Sequence, residues 1–172
     1  MRAPTRRPGT SWPRPAGDRT RRRHAGRVRR AVRSRRPRPL LADHDRFWDV
    51  DTRALHHPVW FDQFGGFGVL ARSADGEDVG YLLGVVTADR LAYLHLLAVR
   101  DDRRRTGLGR RLVRAFDDLA LGTGARVVQA VTRPENTAAV ALHTALGAGA
   151  HLVQDRAGPG EHRLVLTRSL AR

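Results

Sequence analysis

The spacing of hydrophobic residues beyond residue 40 predicts an alternation of helices and strands. In four segments apolar side chains recur every three to four residues, the period of a helix with one buried face. Six shorter apolar segments bounded by turn residues are typical of strands. The predicted helices are 44–55, 58–65, 107–121 and 136–146, and the predicted strands are 67–72, 79–87, 91–99, 127–131, 150–154 and 162–167. This order predicts an α/β layer with a mixed sheet.

Two of these elements carry further expectations. Asp43 is a candidate N-cap for the first helix. The strand Leu91–Val99 is apolar on both faces, so we expect it at the centre of the sheet. In a regularly alternating strand, His95 shares a face with Tyr93 and the other odd-numbered residues.

Positive charge is concentrated at the N-terminus. Residues 1–39 hold 15 arginines, one acid and six of the nine prolines, whereas residues 40–172 hold 17 arginines and 16 acids. The sequence therefore predicts a disordered Arg/Pro-rich tail over residues 1–38, with at most a weak first strand near 32–38, followed by one folded domain over 39–172. We expect a passive extension first, a loose polyanion-binding arm second and a folded DNA-reading module third.

The absence of two residue types excludes several classes of chemistry. The chain has no cysteine, and because all 32 basic residues are arginine it has no lysine. Disulfides, thiolate nucleophiles, Cys-bound zinc and lysine Schiff bases are therefore excluded. His44, His56 and His57 lack a third ligand at metal spacing, so we expect structural roles for them and no metal site. The sequence also lacks an apolar run of membrane-spanning length, and we expect a cytoplasmic protein with no membrane partner.

The segment Leu96–Leu112 joins a buried strand end, a charged loop and a glycine-rich helix start. Gly107 and Gly109 let the main chain approach a ligand, and the helix start offers unpaired N–H groups and a positive dipole. The arginines at 103–105 add charge. This arrangement predicts a phosphate or pyrophosphate site. Leu112 replaces the third glycine of the dinucleotide fingerprint, so a Rossmann site is not expected.

The helix predicted over 136–146 places two polar side chains on one line. Asn136 and His143 are seven residues apart, about 20° from two full turns, and so share a face with Val140 between them. Their neighbours are small and apolar, which singles out these two residues.

Together these segments resemble motifs A and B of the GNAT superfamily, the acyl-CoA-dependent N-acetyltransferases. The resemblance is carried by an R-x-x-G-x-G loop at Arg104–Gly109 and an N-x-x-A-x-x-L-[aromatic/His] helix at Asn136–His143. It implies a single domain with a mixed, mainly antiparallel sheet of about 6–7 strands flanked by about 4 helices. It also implies acetyl-CoA as the acyl-donor substrate.

The resemblance further implies how coenzyme A is held. Main-chain N–H groups of the loop bind the pyrophosphate, two central strands diverge, and the pantetheine arm lies in the gap between them. A main-chain amide near Leu97–Val99 polarises the thioester carbonyl. Asn136 binds the pantetheine arm or caps its own helix. The implied contact residues are Leu97, Ala98, Val99, Arg104, Arg105, Thr106, Gly107, Leu108, Gly109, Arg110, Asn136 and Ala139.

Two histidines are candidates for proton transfer. The family usually has a tyrosine at the position of His143, where it protonates the departing thiolate; the alternative for His143 is a packed core histidine. Imidazolium can protonate a thiolate because its pKa of about 6.5 lies below the thiol value of about 8.5. His95 or Tyr93 can relay the proton of the amine through water, and Glu135 is another possibility. For His95 the alternative is again a core histidine, and for Glu135 a solvated loop acid. A second departure from the family is Ala148, where an aromatic residue usually follows the glycine.

The implied reaction is direct attack of a primary amine on the thioester in a ternary complex. The expected partner is a small-molecule or peptide amine, and the expected state is a monomer or homodimer. Acids near the first two helices favour a cationic acceptor: Asp43, Asp45, Asp49, Asp51 and Asp62. Trp48, Trp60 and Phe61 line the acceptor pocket or fill the core. The alternative function is a non-catalytic acyl-CoA-binding protein, or a protein that docks on nucleic acid through its tail.

Overall fold

The computed structural model describes residues 27–31 and 44–170 and places seven strands in one sheet. The strands are β1 Arg27–Ala31, β2 Phe67–Arg72, β3 Asp78–Val86, β4 Leu91–Val99, β5 Val127–Thr132, β6 Gly149–Val153 and β7 Arg163–Ser169. Their order across the sheet is β1-β2-β3-β4-β5-β7-β6, and only the β4–β5 pair of neighbours is parallel. The predicted mixed, mainly antiparallel sheet with the strand 91–99 at its centre is confirmed.

The helical segments agree with the predicted ones from residue 58 onward. They are α1 Val59–Asp62, α2 Leu108–Gly122, α3 Thr137–Thr144 and three short 3-10 turns, His44–Arg46, Arg53–His56 and Asp101–Arg103. The apolar stripe of α2 packs against the sheet, as its helical spacing predicts, with Leu108, Leu112, Phe116 and Ala120 buried and Leu119 partly buried. α2 and α3 begin and end within two residues of the predicted bounds.

The predicted helix over 44–55 is wrong, because two 3-10 turns occupy that segment. Side chains compete there for the main-chain donors that a helix needs. The N–H of Thr52 donates to His44 Nε2 at 3.1 Å, and the N–H of Arg53 donates to Asp51 Oδ1 at 2.9 Å. The candidate N-cap Asp43 lies outside the described residues.

The first strand lies earlier in the chain than expected. β1 spans Arg27–Ala31 and pairs antiparallel with β2, inside the segment that the sequence predicts to be a disordered tail. Strand addition at a sheet edge needs only main-chain hydrogen bonds, so a segment without apolar alternation can take part. The alternative location near 32–38 falls outside the described residues, and the domain boundary at 38/39 stays a prediction.

Two hydrophobic layers cover the opposite faces of the sheet. The larger lies under α2, where Phe116 packs over Gly84 and stacks on Phe67 with ring centroids 5.1 Å apart. The smaller contains Phe47 and Tyr81 and lies under the N-terminal turns. The sheet therefore separates a face covered by α2 and α3 from a face covered by the segment 44–64.

Candidate functional site

The central strands β4 and β5 separate before either one ends. They pair in parallel from Leu91 with Val127 to Leu94 with Ala130, and no pairing between them follows. β4 nevertheless continues to Val99, paired with β3, and β5 continues to Thr132, paired with β7. A gap therefore opens between the two strands at the centre of the sheet, on the side that leads to the loop before α2. This is the divergence that the resemblance implies.

A β-bulge lies at the point where the gap opens. Leu96 of β4 pairs with Leu83, but Leu94 pairs with the next residue, Gly84, so His95 is the extra residue of the bulge. Bulges redirect side chains, and this one exchanges the two faces of β4. Ala92 and Leu94 before it, and Leu97 after it, pack in the layer under α2, whereas Leu96 belongs to the opposite layer.

The bulge corrects one expectation about His95. Regular alternation puts His95, Leu97 and Val99 on one face of β4. Leu97 and Val99 pack instead against the layer under α2, while the ring of His95 packs on Trp60, with ring centroids 4.2 Å apart. His95 thus faces the N-terminal segment, on the side of the sheet opposite to α3.

The loop between β4 and α2 is anchored by a buried arginine. Arg100, 4% exposed, donates to Glu77 at 2.7 Å and to both carboxylate oxygens of Asp102 at 2.6 and 2.9 Å. These contacts use hydrogen bonds to charged groups, which are stronger than neutral ones. The loop is therefore held at the end of β4.

The arginines of this loop do not all face a ligand. Arg104 binds Asp101 at 2.6 Å, and Arg103 lies 3.5 Å from Asp102, so part of the charge predicted for a phosphate is neutralised within the loop. Arg105 and Arg110 are exposed and have no ion-pair partner among residues 44–170. They are the arginines beside the helix start that remain available to an anion.

The start of α2 is open. Gly107 occupies the cap position with φ +81°, a left-handed conformation that glycine adopts at low cost, and no side chain caps the helix. Arg105 also has positive φ, +62°. The first helical hydrogen bond runs from Arg111 N–H to Gly107 at 3.2 Å, which leaves the N–H groups of residues 108–110 without helical acceptors. Thr106 does not cap them, since its hydroxyl donates to the Arg103 carbonyl at 2.7 Å.

The helix α3 begins with the predicted asparagine. Asn136 is exposed, and its side-chain oxygen accepts the N–H of Ala139 at 3.1 Å. Of the two expected roles, the structure shows the capping one. Leu142 of the same helix reaches the start of α2, where it lies near Gly109. α3 therefore packs beside the loop that precedes α2.

His143 lies inside the protein rather than at an open surface, since it is only 4% exposed. Burial lowers the pKa of His143, and the nearby Arg168 guanidinium lowers it further. Arg168 is itself held by Asp117, with 2.5 Å between Nη2 and Oδ2. Both causes favour the neutral imidazole.

Sequence reasoning misses the pair of Asp117 and Arg168. The two residues stand 51 positions apart, and neither belongs to a motif, so only the folded chain shows that they meet near His143. Ala148, the second departure from the family pattern, is buried in the layer under α2.

His95 is oriented by a single strong contact. Its Nε2 lies 2.8 Å from the carbonyl oxygen of Leu55. Because a carbonyl only accepts, Nε2 carries the proton and Nδ1 of the neutral ring is an acceptor. Burial lowers the pKa of His95 more than the Leu55 hydrogen bond raises it. Tyr93 lies beside it with ring centroids 6.1 Å apart, and burial raises the pKa of Tyr93.

The remaining acid and histidine candidates differ in their exposure. Glu135 is exposed. His44 and His56 are buried and hydrogen-bonded, in keeping with a structural role, whereas His57 is exposed and accepts the Val59 N–H.

The aromatic candidates lie in different surroundings. The Trp48 indole N–H donates to the Tyr81 hydroxyl in the smaller layer, whereas the Trp60 ring packs at a tilt on the His95 ring. Asp49 and Asp51 lie within ion-pair distance of arginines, which weakens the predicted acidic surface. The side chain of Phe61 is outside the described part of the structure.

The described residues contain neither a metal-binding cluster nor a membrane-spanning helix. Within 27–31 and 44–170, no group of three or more histidine and acidic side chains is arranged to hold a metal ion. None of the helices in this part of the chain is long and apolar enough to cross a bilayer.

The sequence matches the model of the acetyltransferase (GNAT) family over residues 32–148. Similar solved structures include a protein from Desulfovibrio desulfuricans assigned to the acetyltransferases of the GNAT family, with a TM-score of 0.70 and 18% identity over 86% of this chain and 100% of that one. The ribosomal-protein-S18-alanine N-acetyltransferase of Escherichia coli has a TM-score of 0.66 and 20% identity, over 86% and 95% of the two chains. A protein from Salmonella typhimurium assigned as an acetyltransferase, solved with acetyl-CoA, has a TM-score of 0.64 and 18% identity over the same 86% and 95%. A comparison with curated proteins gives no match.

Proposed function

Because the chain belongs to the acetyltransferase (GNAT) family, we propose that it transfers the acetyl group of acetyl-CoA to a primary amine in a ternary complex. Acetyltransferases of this family use acetyl-CoA and act on amine acceptors. The observation that carries the proposal is the gap beyond the Leu94–Ala130 pair, which lies directly before the open start of α2.

The described residues fit coenzyme A at the two ends of this site. The free N–H groups of Leu108, Gly109 and Arg110 and the left-handed turn at Gly107 suit a pyrophosphate. Arg105 and Arg110 add charge that no carboxylate in residues 44–170 neutralises. Beyond the loop, the edge of β4 from Leu97 to Val99 is free on its β5 side and suits the extended pantetheine arm.

The amine requires a base before it can attack the thioester carbon. His95 meets this need because, with Nε2–H held by the Leu55 carbonyl, Nδ1 of the neutral ring is an acceptor. In our proposal the ammonium proton passes to Nδ1, directly or through water, and the free amine attacks. A main-chain amide of β4 stabilises the oxyanion that forms. As the tetrahedral intermediate collapses, its nitrogen gives a second proton to solvent water, the C–S bond breaks, and the products are the neutral amide and the coenzyme thiolate.

His143 acts on the departing sulfur. Its lowered pKa keeps the ring neutral through most of the physiological range, and a neutral imidazole donates its N–H as a hydrogen bond instead of transferring the proton outright. The proton that the thiolate finally acquires then comes from His95 or from solvent. Asn136 supports the site indirectly by capping α3, and Ala139 supplies the capped N–H.

The acceptor approaches from the face of the sheet that carries the N-terminal turns. His95, Tyr93 and Trp60 lie there together. The ring centroid of Phe64 is 5.8 Å from that of Trp60, and Phe64 is 61% exposed. An aromatic wall next to the base suits either an ammonium group or the apolar part of an amine. A small-molecule amine and the amino terminus of a peptide both satisfy this chemistry.

The test combines binding with turnover. Acetyl-CoA should raise the melting temperature of the full chain, and a panel of primary amines should release free thiol from acetyl-CoA above the rate without amine. Binding without thiol release from any amine favours the non-catalytic acyl-CoA-binding alternative. Absence of a thermal shift at millimolar acetyl-CoA rules out both.

The arginine-rich N-terminal tail supports one further candidate function. Its excess of 14 positive charges over residues 1–39 suits sequence-independent contacts to nucleic-acid phosphates. Such docking would accompany the acetyltransferase activity of the folded part and would not replace it.

A further inference from the structure

A series of hydrogen bonds, buried at His56 and exposed at its end, links the core of the protein to His95. Its last bond joins His95 Nε2 to the carbonyl of Leu55 at 2.8 Å. Leu55 belongs to the 3-10 turn Arg53–His56, to which the Thr52 side chain makes no capping hydrogen bond; the Arg53 N–H donates to the exposed Asp51 side chain instead. The position of the Leu55 carbonyl therefore depends on what holds this short turn.

His56, the last residue of the turn, is the anchor. Its Nδ1 lies 2.8 Å from the carbonyl of Thr52, so Nδ1 carries the proton and Nε2 accepts. The hydroxyl of Tyr81 lies 2.8 Å from Nε2 and must donate to it. The indole N–H of Trp48 in turn donates to the Tyr81 oxygen at 2.6 Å. Each donor in the chain has an acceptor, and each acceptor has a donor.

Both central members of this chain are fully buried, since His56 and Tyr81 are each 1% exposed. Polar groups buried this deeply cost stability unless every hydrogen bond is made. Two apolar side chains would fill the same space at lower cost. The hydrogen bond between His56 and Tyr81 joins the turn to β3, which pairs directly with the strand that carries His95.

We propose that His56 and Tyr81 are positioning residues for His95: they fix the Leu55 carbonyl, which holds the His95 ring with Nε2–H bound and Nδ1 turned toward the amine. This inference rests on the proposed role of His95 as the base. Neither residue touches the reacting atoms. A base with a fixed tautomer and orientation needs no reorganisation when the amine arrives.

The hydrogen bond to the Leu55 carbonyl is the main contact that orients the His95 ring. Trp60 of α1 packs on one side of the ring, and Tyr93 of β4 lies beside it. The titratable groups that face it are Tyr93 and His56, and Arg156 of the β6–β7 loop lies near Tyr93. No carboxylate among the described residues bonds to its ring.

Tyr81→Phe removes one oxygen from the chain and keeps the aromatic ring that packs on Phe47. Side-chain ¹⁵N spectra of the full-length protein, with His95 assigned through His95→Gln, report its tautomer and titration without any substrate. In the wild type we expect the Nε2–H form alone. In Tyr81→Phe we expect both tautomers and a titration midpoint nearer the ordinary value. We also expect kcat/KM for the amine to fall about tenfold while KM for acetyl-CoA stays unchanged.

Thr52→Val is the matched control, because it removes a buried hydroxyl bonded to His44 at 2.9 Å but keeps the carbonyl that His56 uses. It should lower the melting temperature without changing the His95 spectrum. If Tyr81→Phe fails to fold, His56→Asn cuts the same link from the other side while retaining a donor for the Thr52 carbonyl. An unchanged His95 tautomer and titration in the folded variant overturns the inference.

The two proposals fail in different ways. If His95→Gln is fully active, His95 is not the base, and the ¹⁵N spectra then describe only how the ring is held. A normal His95 spectrum in Tyr81→Phe, together with an inactive His95→Gln, would keep the proposed function and remove the positioning role.

Discussion

Leu94 of β4 pairs with Ala130 of β5, and beyond this pair the two strands part while each remains bonded to its other neighbour. The bulge at His95 follows immediately on β4. The end of the β4–β5 pairing, the exchange of the two faces of β4 and the turn of the His95 ring toward Trp60 therefore all occur at one point of the strand.

Substitution of His143 tests the leaving-group role. His143→Ala removes the ring N–H proposed to bind the departing sulfur, so kcat should fall about 100-fold, within the range for positioned proton donors, while the Kd for acetyl-CoA changes little. His143→Tyr should retain activity, since a phenol hydroxyl also donates. Stopped-flow thiol release and calorimetric titration measure the two quantities. Equal loss in both variants would mean that His143 is scaffold.

Loss of Arg105 and Arg110 should weaken coenzyme binding without unfolding the protein. Neither side chain has an ion-pair partner within residues 44–170, so the double change to Gln removes no internal contact. One charge-assisted contact is worth about 1.5 kcal/mol, which predicts a Kd for acetyl-CoA raised at least tenfold and a flatter salt dependence. Arg114→Gln, which removes the same charge from an exposed position one turn further along α2, is the control. An equal rise in Kd from Arg114→Gln and from the double change would point to nonspecific attraction.

Gly84→Ala should be strongly destabilising. A Cβ at this position would lie 2.5 Å from the Tyr93 carbonyl and 2.6 Å from the Phe116 ring, and overpacking of this kind costs about 1–3 kcal/mol. Gly122→Ala, at the end of α2 with nothing within 4 Å, should be neutral or stabilise by about 0.5 kcal/mol. Urea unfolding of both variants gives the comparison. A Gly84→Ala variant as stable as the parent would contradict the packing described for Phe116.

Stability should fall as the pH is lowered below 6.5. Burial lowers the pKa of His56, His95 and His143 in the folded state, so the unfolded chain takes up protons first as the pH drops. Stability is then full above the unfolded pKa of about 6.5 and declines below it by at most about 1.4 kcal/mol per pH unit for each histidine. Melting curves from pH 8 to pH 5 measure the slope. His143→Gln should reduce this slope, and a slope equal to that of the parent protein would refute the assignment.

Truncation separates the tail from the sheet. Removal of residues 1–26 deletes eight arginines but keeps β1, so the melting temperature and acetyl transfer should be unchanged while any DNA binding weakens and loses its salt dependence. Removal of residues 1–31 also deletes β1 and bares the edge of β2, so the melting temperature should fall. Unaltered DNA binding after the shorter truncation would exclude docking through residues 1–26.

Much of the fold follows from local pattern. The strand 91–99 is correctly predicted from its continuous run of apolar residues, and the helix that follows Gly107 from its regular helical spacing. The segment 44–55 is not, because buried His44 and Thr52 bond to each other across a turn. β1 is missed because its pairing depends on an edge that only the assembled sheet provides.

The candidate site also combines features that the sequence predicts with features that only the folded chain sets. The motif spacing by itself determines the family resemblance, the open helix start and the two histidines, because these depend on residue type and on distance along one element. The tertiary structure alone decides that His95 lies in a bulge facing Trp60, that the Leu55 carbonyl selects its tautomer, and that burial beside Arg168 lowers the pKa of His143. Protonation and orientation depend on the atoms that surround a ring, and those atoms come from residues distant in sequence.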